Sequence, residues 1–217
     1  MNKGIVLLSG GLDSLVSLGL YHTDISLALT FNYGQKAAKS EIAASKKICE
    51  FYNIKHKIVN LDWLKDITNT ALVSDKELPE GIDNPIESAK NVWVPNRNGL
   101  FLNIAGAFAD SGEYDSIYIG ANKEEAGTFS DNTQQFIESI NSEFEFSTQN
   151  HPKVIAPLIN SDKSDIVKLA LDNNIPLDLV MSCYLGGKKH CGRCESCTRL
   201  KNALIANNDK FYIGKLF

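Results

Sequence analysis

Short apolar runs alternate along the chain with stretches whose apolar residues recur every three or four positions, which predicts strands and helices in turn. Residues 4–8 (GIVLL) form an unbroken apolar run, as expected of a strand buried on both faces. Leu15 and Leu18 then fall at helical spacing within 14–21. Residues 25–33 (ISLALTFNY) predict a second strand, and 37–53 a helix with Ile42, Ile48 and Phe51 on its apolar side. A third strand follows over 55–61. Pro79, Gly81, Pro85 and Pro95 interrupt residues 62–95, which read as an irregular, lid-like excursion over the sheet edge. The rhythm then resumes with a helix over 98–111, a strand over 116–120, a helix over 133–146, a strand over 154–158 and a helix over 163–173. Such alternation implies right-handed crossovers and a mostly parallel, doubly wound α/β sheet. A cysteine-rich segment and a short polar tail close the chain.

Composition narrows the class. The 217 residues accommodate one full domain and a small appendage, divided here into an α/β domain over 1–180 and a C-terminal segment over 181–217. A hydrophobic content of 43% and a net charge of −4 exclude intrinsic disorder. No apolar run approaches the roughly 18 residues of a membrane span, and no signal-peptide pattern follows Met1, so a cytoplasmic chain without a membrane partner is expected. Slight acidity argues against a nucleic-acid partner. The local exception is 183–201, where Lys188, Lys189, Arg193, Arg199 and Lys201 face Glu195 alone.

Two motifs carry chemistry. The first, Ser9-Gly10-Gly11-Leu12-Asp13-Ser14, joins the first strand to the first helix. Its glycines let backbone N–H groups approach an anion, and the helix dipole points at the same place. Ser9 and Ser14 add hydroxyls, and Asp13 can cap the helix or help hold Mg²⁺. The lysine of a P-loop is absent. The loop leaves the carboxyl end of a parallel strand, where α/β sheets bind ligands, so it reads as a phosphate site spanning Leu8 to Ser14.

The second motif is Cys183, Cys191, Cys194 and Cys197, a C-x7-C-x2-C-x2-C spacing. In a reducing compartment it reads as four thiolates around a structural Zn²⁺ that pins the C-terminal loop over the site. An iron–sulfur cluster is the rival. His190 reads as a loop residue, and Cys49 as a small core residue.

Residues 9–14 resemble the SGG-x-DS loop of the N-type ATP pyrophosphatase superfamily, whose members cleave ATP between its α and β phosphates. Phe31-Asn32-Tyr33-Gly34-Gln35-Lys36, Val94-Pro95-Asn96-Arg97-Asn98, Gly120-Ala121-Asn122 and the cysteine cluster extend the likeness, in order, to the 7-cyano-7-deazaguanine synthase family. The resemblance implies conversion of 7-carboxy-7-deazaguanine and ammonia to the nitrile, with ATP, Mg²⁺ and Zn²⁺, by a homodimer. It implies catalytic roles for Ser9, Asp13, Ser14, Lys36 and Arg97, the last two as cations for carboxylate or phosphate. It further implies base contacts from Phe31, Tyr33, Gln35, Arg97, Asn98, Asn122, Glu125 and Asp131. The family's Asp and Tyr-Pro-Asp-Cys run after residue 122 is altered here: Glu125 stands for the acid, Phe129 and Ser130 replace Tyr and Pro, and Asp131 is kept. Position 2 is Asn, not a glutaminase Cys, so free ammonia is the expected nitrogen source. The competing readings are a tRNA-thiolating pyrophosphate-loop enzyme, a deazaguanine–protein conjugating enzyme and a nucleotide-binding zinc protein without catalysis.

Overall fold

The computed structural model describes residues 3–81 and 85–217. Its sheet contains β1 (Gly4–Leu7), β2 (Ile25–Asn32), β3 (Lys55–Asn60), β4 (Ser116–Tyr118) and β5 (Lys153–Ile155), in the order β3-β2-β1-β4-β5. Every pairing in that sheet is parallel. The chain runs outward from β1 to β3, then crosses back to set β4 on the other side of β1. That reversal makes a switch point at the carboxyl ends of β1 and β4, where diverging loops open a crevice.

The helices are α1 (Leu12–Tyr21), α2 (Ala38–Tyr52), α3 (Pro85–Val92), α4 (Arg97–Gly112), α5 (Lys123–Ala126), α6 (Gln134–Ser147), α7 (Lys163–Asp172), α8 (Glu195–Ala206) and α9 (Lys210–Leu216). Side chains of β1 alternate between two cores. Val6 and Leu8 pack among Leu15 and Leu18 of α1, Ile48 of α2, Ile166 and Val167 of α7, and Leu200 and Leu204 of α8. Ile5 and Leu7 join Leu102 and Ala105 of α4 and Ile137, Ile140 and Phe144 of α6. Burial on both faces explains the unbroken apolar run. β3 lies at the sheet edge, where exposed Lys55 and Lys57 oppose edge-to-edge pairing.

Two expectations need correction. Residues 62–95 are partly helical, with a 3-10 helix at Asp62–Ile67 and α3 after it; residues 82–84 of the expected excursion lie outside the described residues. Nor does the chain end in a polar tail. Leu200, Ala203 and Leu204 carry helical spacing into the core, Asp209 caps α9 by accepting the Tyr212 N–H at 2.8 Å, and Leu216 is buried.

Candidate active site

Residues 8–14 leave β1 at the switch point and wind into α1. Gly10 adopts φ +80°, and a Cβ there would lie 2.8 Å from the Glu41 carbonyl oxygen, so the turn requires glycine. Gly120, at the end of β4, lets the facing loop come close: a Cβ on it would sit 2.9 Å from the carbonyl carbon of Asp13. Hydroxyls lock the turn. Ser14 Oγ donates to the Gly11 carbonyl at 3.0 Å and accepts the Ser9 N–H at 3.2 Å, while Ser9 Oγ accepts the Gly11 N–H at 3.3 Å. The C-terminal segment also grips it: Leu12 N–H donates to Ser182 Oγ at 3.2 Å, and Met181 N–H to the Gly10 carbonyl at 2.8 Å.

Asp13 is not the helix cap. Gly11 occupies that position without a side-chain bond, and Asp13 turns to Lys163. Lys163 Nζ donates to Asp13 Oδ2 at 2.6 Å and to Glu125 Oε1 at 2.8 Å. Lys163 opens α7, whose start is set by the reciprocal Asp162–Asp165 capping box and by Glu124 Oε1, which accepts the Lys163 backbone N–H at 2.8 Å. Burial alone would lower the pKa of the Lys163 ammonium, but Asp13 and Glu125 outweigh it and hold the pKa raised. Burial pushes the Asp13 carboxyl up, against the pull of Lys163. Burial opposes ionisation of Glu125 too, yet Lys163 and the Asn122 bond bring its carboxyl below the usual range. One cation between two carboxylates leaves net negative charge, and Asp13 Oδ1 is buried without a hydrogen-bond partner. A buried carboxylate oxygen in that state fits a divalent cation.

Further along the same cavity, of about 280 Å³, Arg97 opens α4. Its Nη1 donates to the Tyr33 hydroxyl at 3.5 Å. Burial disfavours the guanidinium charge, but Tyr33, Asp131 and Glu125 hold its pKa raised, so Arg97 stays cationic. Burial moves Asp131 up against the pull of Arg97, and moves the Tyr33 phenol up as well. Gln35 braces its own turn: Oε1 accepts the Tyr33 N–H at 3.0 Å, and Nε2 donates to the Phe31 carbonyl at 3.1 Å and to Glu41 Oε2 at 2.7 Å. Phe31 stacks on Phe101 with ring centres 4.0 Å apart and planes within 6°, which occupies one of its faces with protein. Asn98 lines the cavity while its Nδ2 donates to the Asp131 carbonyl at 3.3 Å. Lys36 also lines it, with Nζ donating to the Lys76 carbonyl at 2.7 Å. Asn122 is the exception among the expected contacts. It is fully buried, caps α5 by accepting the Glu125 N–H at 3.1 Å, and lies outside the cavity lining.

The four cysteine sulfurs converge to within 4.8 Å of one another. Cys191 Sγ and Cys197 Sγ are 3.8 Å apart, matching the edge of about 3.8 Å for a tetrahedron with metal–sulfur bonds of about 2.3 Å. Cys194 N–H donates to Cys191 Sγ at 3.3 Å. His190 is outside the four-sulfur group; its Nε2 accepts the Ser182 N–H at 3.1 Å and so steadies the segment that grips the phosphate turn. The excursion is clipped to this module through an antiparallel bridge between Glu80 and Cys194, with Gly81 N–H donating to the Arg193 carbonyl and Glu195 N–H to the Pro79 carbonyl, both at 3.1 Å. Ser88 donates to the buried Glu195 carboxylate. Arg199 donates to Glu195 Oε1 from Nη2 at 2.7 Å and to Glu124 Oε2 from Nη1 at 2.9 Å. Polar contacts therefore run from the cysteine loop through Glu195, Arg199 and Glu124 to Lys163.

The sequence reading missed Lys163, Arg199, Glu195, Trp93 and Tyr184, all of which line the cavity. Lys163 did leave a signal. The Asp162-x-x-Asp165 box marks a helix start after a strand, and such starts sit at the ligand edge of a parallel sheet. The other four depend on long-range packing.

An anion-binding turn without a P-loop lysine, at the switch point of a parallel sheet, defines a nucleotide-using α/β protein of the pyrophosphate-loop class. More narrowly, the chain belongs to the queuosine biosynthesis protein QueC family, whose model matches residues 3–208. It is 51% identical to a 7-cyano-7-deazaguanine synthase of Carboxydothermus hydrogenoformans, covering 95% of this chain and 100% of that protein. The protein of the same name from Methanosarcina mazei is 48% identical, with 93% of each chain covered. The one from Bdellovibrio bacteriovorus is 46% identical, covering 95% of this chain and 94% of that protein.

Proposed function

We propose that this chain is an ATP-dependent ligase that makes 7-cyano-7-deazaguanine from 7-carboxy-7-deazaguanine and free ammonia. The observation that carries the reading is one cavity with two chemical ends: a glycine-serine turn beside Asp13, Lys163 and Glu125, and the Arg97 cation with the Asp131 carboxylate within its electrostatic reach.

The chemistry explains the need for ATP. A carboxylate is a poor electrophile, so one carboxylate oxygen attacks the α-phosphorus and pyrophosphate leaves. Ammonia adds to the acyl carbon, AMP leaves and a proton is lost, giving the amide. The amide oxygen is adenylated in turn, and loss of AMP with the remaining nitrogen protons forms C≡N. One site able to adenylate two successive oxygens suffices.

In this reading the N–H groups of residues 9–14 and the α1 dipole hold the phosphates, with Ser9 and Ser14 bracing the turn. Lys163 follows the charge developing on the α-phosphate. Arg97 takes the substrate carboxylate, and Asp131 accepts the N–H donors of the base edge. Asn98, Gln35 and Asn122 act by positioning, and Lys36 adds positive charge at the rim. Mg²⁺, held at Asp13, would offset charge on the leaving pyrophosphate. Four sulfurs within 4.8 Å of one another support a single Zn²⁺ over a multi-iron cluster. Residues 181–217 then act as a metal-held segment closing over an α/β domain of residues 1–180. We assign a cytoplasmic homodimer without a nucleic-acid partner.

The test is incubation of purified protein with ATP, ammonium and 7-carboxy-7-deazaguanine, read by mass spectrometry. The expected products are the nitrile and AMP, with glutamine unable to replace ammonium. Absence of the nitrile sinks the activity, and equal turnover with glutamine sinks the use of free ammonia. Light scattering checks the dimer.

A further inference from the structure

We infer that the base of the substrate stacks on the Trp93–Phe129 ring pair, and that this pair sets the preference for a flat, guanine-like heterocycle. The inference rests on the reaction proposed above and adds the surface that holds its substrate.

It follows from how the cavity's aromatics are packed; Tyr184 lies against the cysteine cluster. Phe31 and Phe101 stack on each other, and Tyr33 tilts against Phe101 at 5.8 Å while its hydroxyl accepts from Arg97. Phe31 and Tyr33 are each only 6% exposed. Trp93 differs: it lines the cavity yet remains 37% exposed. Its indole lies within 7° of parallel to Phe129, with ring centres 6.0 Å apart, and Phe129 also lines the cavity. The exposure left on Trp93 is apolar ring that another π-face can cover, continuing the parallel Trp93–Phe129 stack.

The neighbouring polar groups match a guanine-like edge. Asp131 lies two residues beyond Phe129, and its Oδ1 accepts the Asn132 Nδ2 bond at 3.2 Å. Its carboxylate can accept from adjacent ring and amino N–H groups while the ring stacks. Adenine, whose Watson–Crick edge carries a ring acceptor beside its amino donor, is the poorer match. The pair therefore belongs to the substrate base rather than to ATP.

The chain's two tryptophans make the test direct, because Trp63, on the 62–67 helix, can be replaced to leave Trp93 as the sole reporter. In Trp63→Phe protein without ATP, 7-carboxy-7-deazaguanine should quench Trp93 emission with saturation, whereas a nonhydrolysable ATP analogue alone should not. Trp93→Ala and Phe129→Ala should each raise the KM for the base about tenfold or more, leave the KM for ATP within twofold, and keep bound metal. Trp93→Phe should recover most of the loss. Quenching by the ATP analogue but not by the base would overturn the inference, as would an unchanged base KM in both alanine variants. Quenching needs no turnover, so base binding without nitrile formation would defeat the proposed reaction and leave this surface standing. Nitrile formation with an unchanged base KM would do the reverse.

Discussion

The end of the cavity at residues 9–14, where we place the phosphates, and the far wall are built on opposite plans. Residues 9–14 are contiguous, and their shape follows from Gly10, two serine hydroxyls and the end of a buried strand. The wall takes Trp93, Arg97, Asp131, Glu195 and Arg199 from segments a hundred residues apart, with Arg199 bridging Glu195 and Glu124 beside the cysteine loop. The first plan rests mainly on local bonds, with Ser182 and Met181 added from the C-terminal segment. In the second, each residue depends on distant neighbours, and the Glu195–Arg199–Glu124 contacts carry that dependence to Lys163.

Substituting Asp13 attacks the first plan and frees Lys163 from one of its two carboxylates. Asp13→Ala should lower AMP formation roughly a thousandfold or more with the cysteine-bound metal retained, because the carboxylate proposed to hold Mg²⁺ beside the phosphates is gone. Metal loss on that substitution, measured by atomic emission, would show the two ends to be less separable than they look.

Chelation attacks the second plan. Metal binding energy is folding energy in such modules, about 10–16 kcal/mol for structural zinc. Because Leu200, Leu204 and Leu216 belong to the core, the effect should spread beyond the loop. Chelator should expose residues 181–217 to protease and lower the melting temperature, while the parallel sheet persists by circular dichroism.

Arg199→Ala tests the link between the plans. It leaves Glu195 buried without its cation and frees Glu124, so turnover should fall about 10- to 100-fold, with partial recovery in Arg199→Lys. Unchanged turnover would separate the wall from the phosphate end.

A smaller, signed effect concerns pH. The Glu125 carboxyl is held below the ordinary 4.5, so its contribution to stability is present above that value and disappears as pH falls through the folded pKa. Lys163, with its pKa raised above 10.5, contributes fully below that value and loses its contribution only as pH climbs through its folded pKa. Asp13, raised by burial, has the opposite sign to Glu125 and offsets part of it. The stability difference between wild type and Glu125→Gln, from urea unfolding, should therefore be flat between about pH 6 and 9, and shrink below about pH 4.5. Smallest of all, Phe146, 92% exposed, should change stability by less than about 0.5 kcal/mol on substitution by Ser.

Local pattern made much of the fold legible. The alternating elements, the phosphate turn and the grouping of four cysteines each span few residues, so spacing and backbone preference define them before any packing. Cys49 is a further case: it is buried beside Ile48, and burial pushes its thiol up to about 12, leaving a packing residue. Phe31 was harder, since strand alternation brings it to the cavity wall but cannot reveal Phe101 stacked upon it.

The sequence by itself determined a parallel α/β sheet, a glycine-serine turn after its first strand and a grouping of four cysteines near the C-terminus, because these depend on neighbours in the chain. Only the tertiary structure decided that Asp13 pairs with Lys163 instead of capping its helix, that Asn122 serves a helix end, and that the last two helices pack into the core. The physical reason is the same in each case. A charge or ring becomes a site through what is brought within about 3–6 Å of it, and here those partners lie up to 150 residues away.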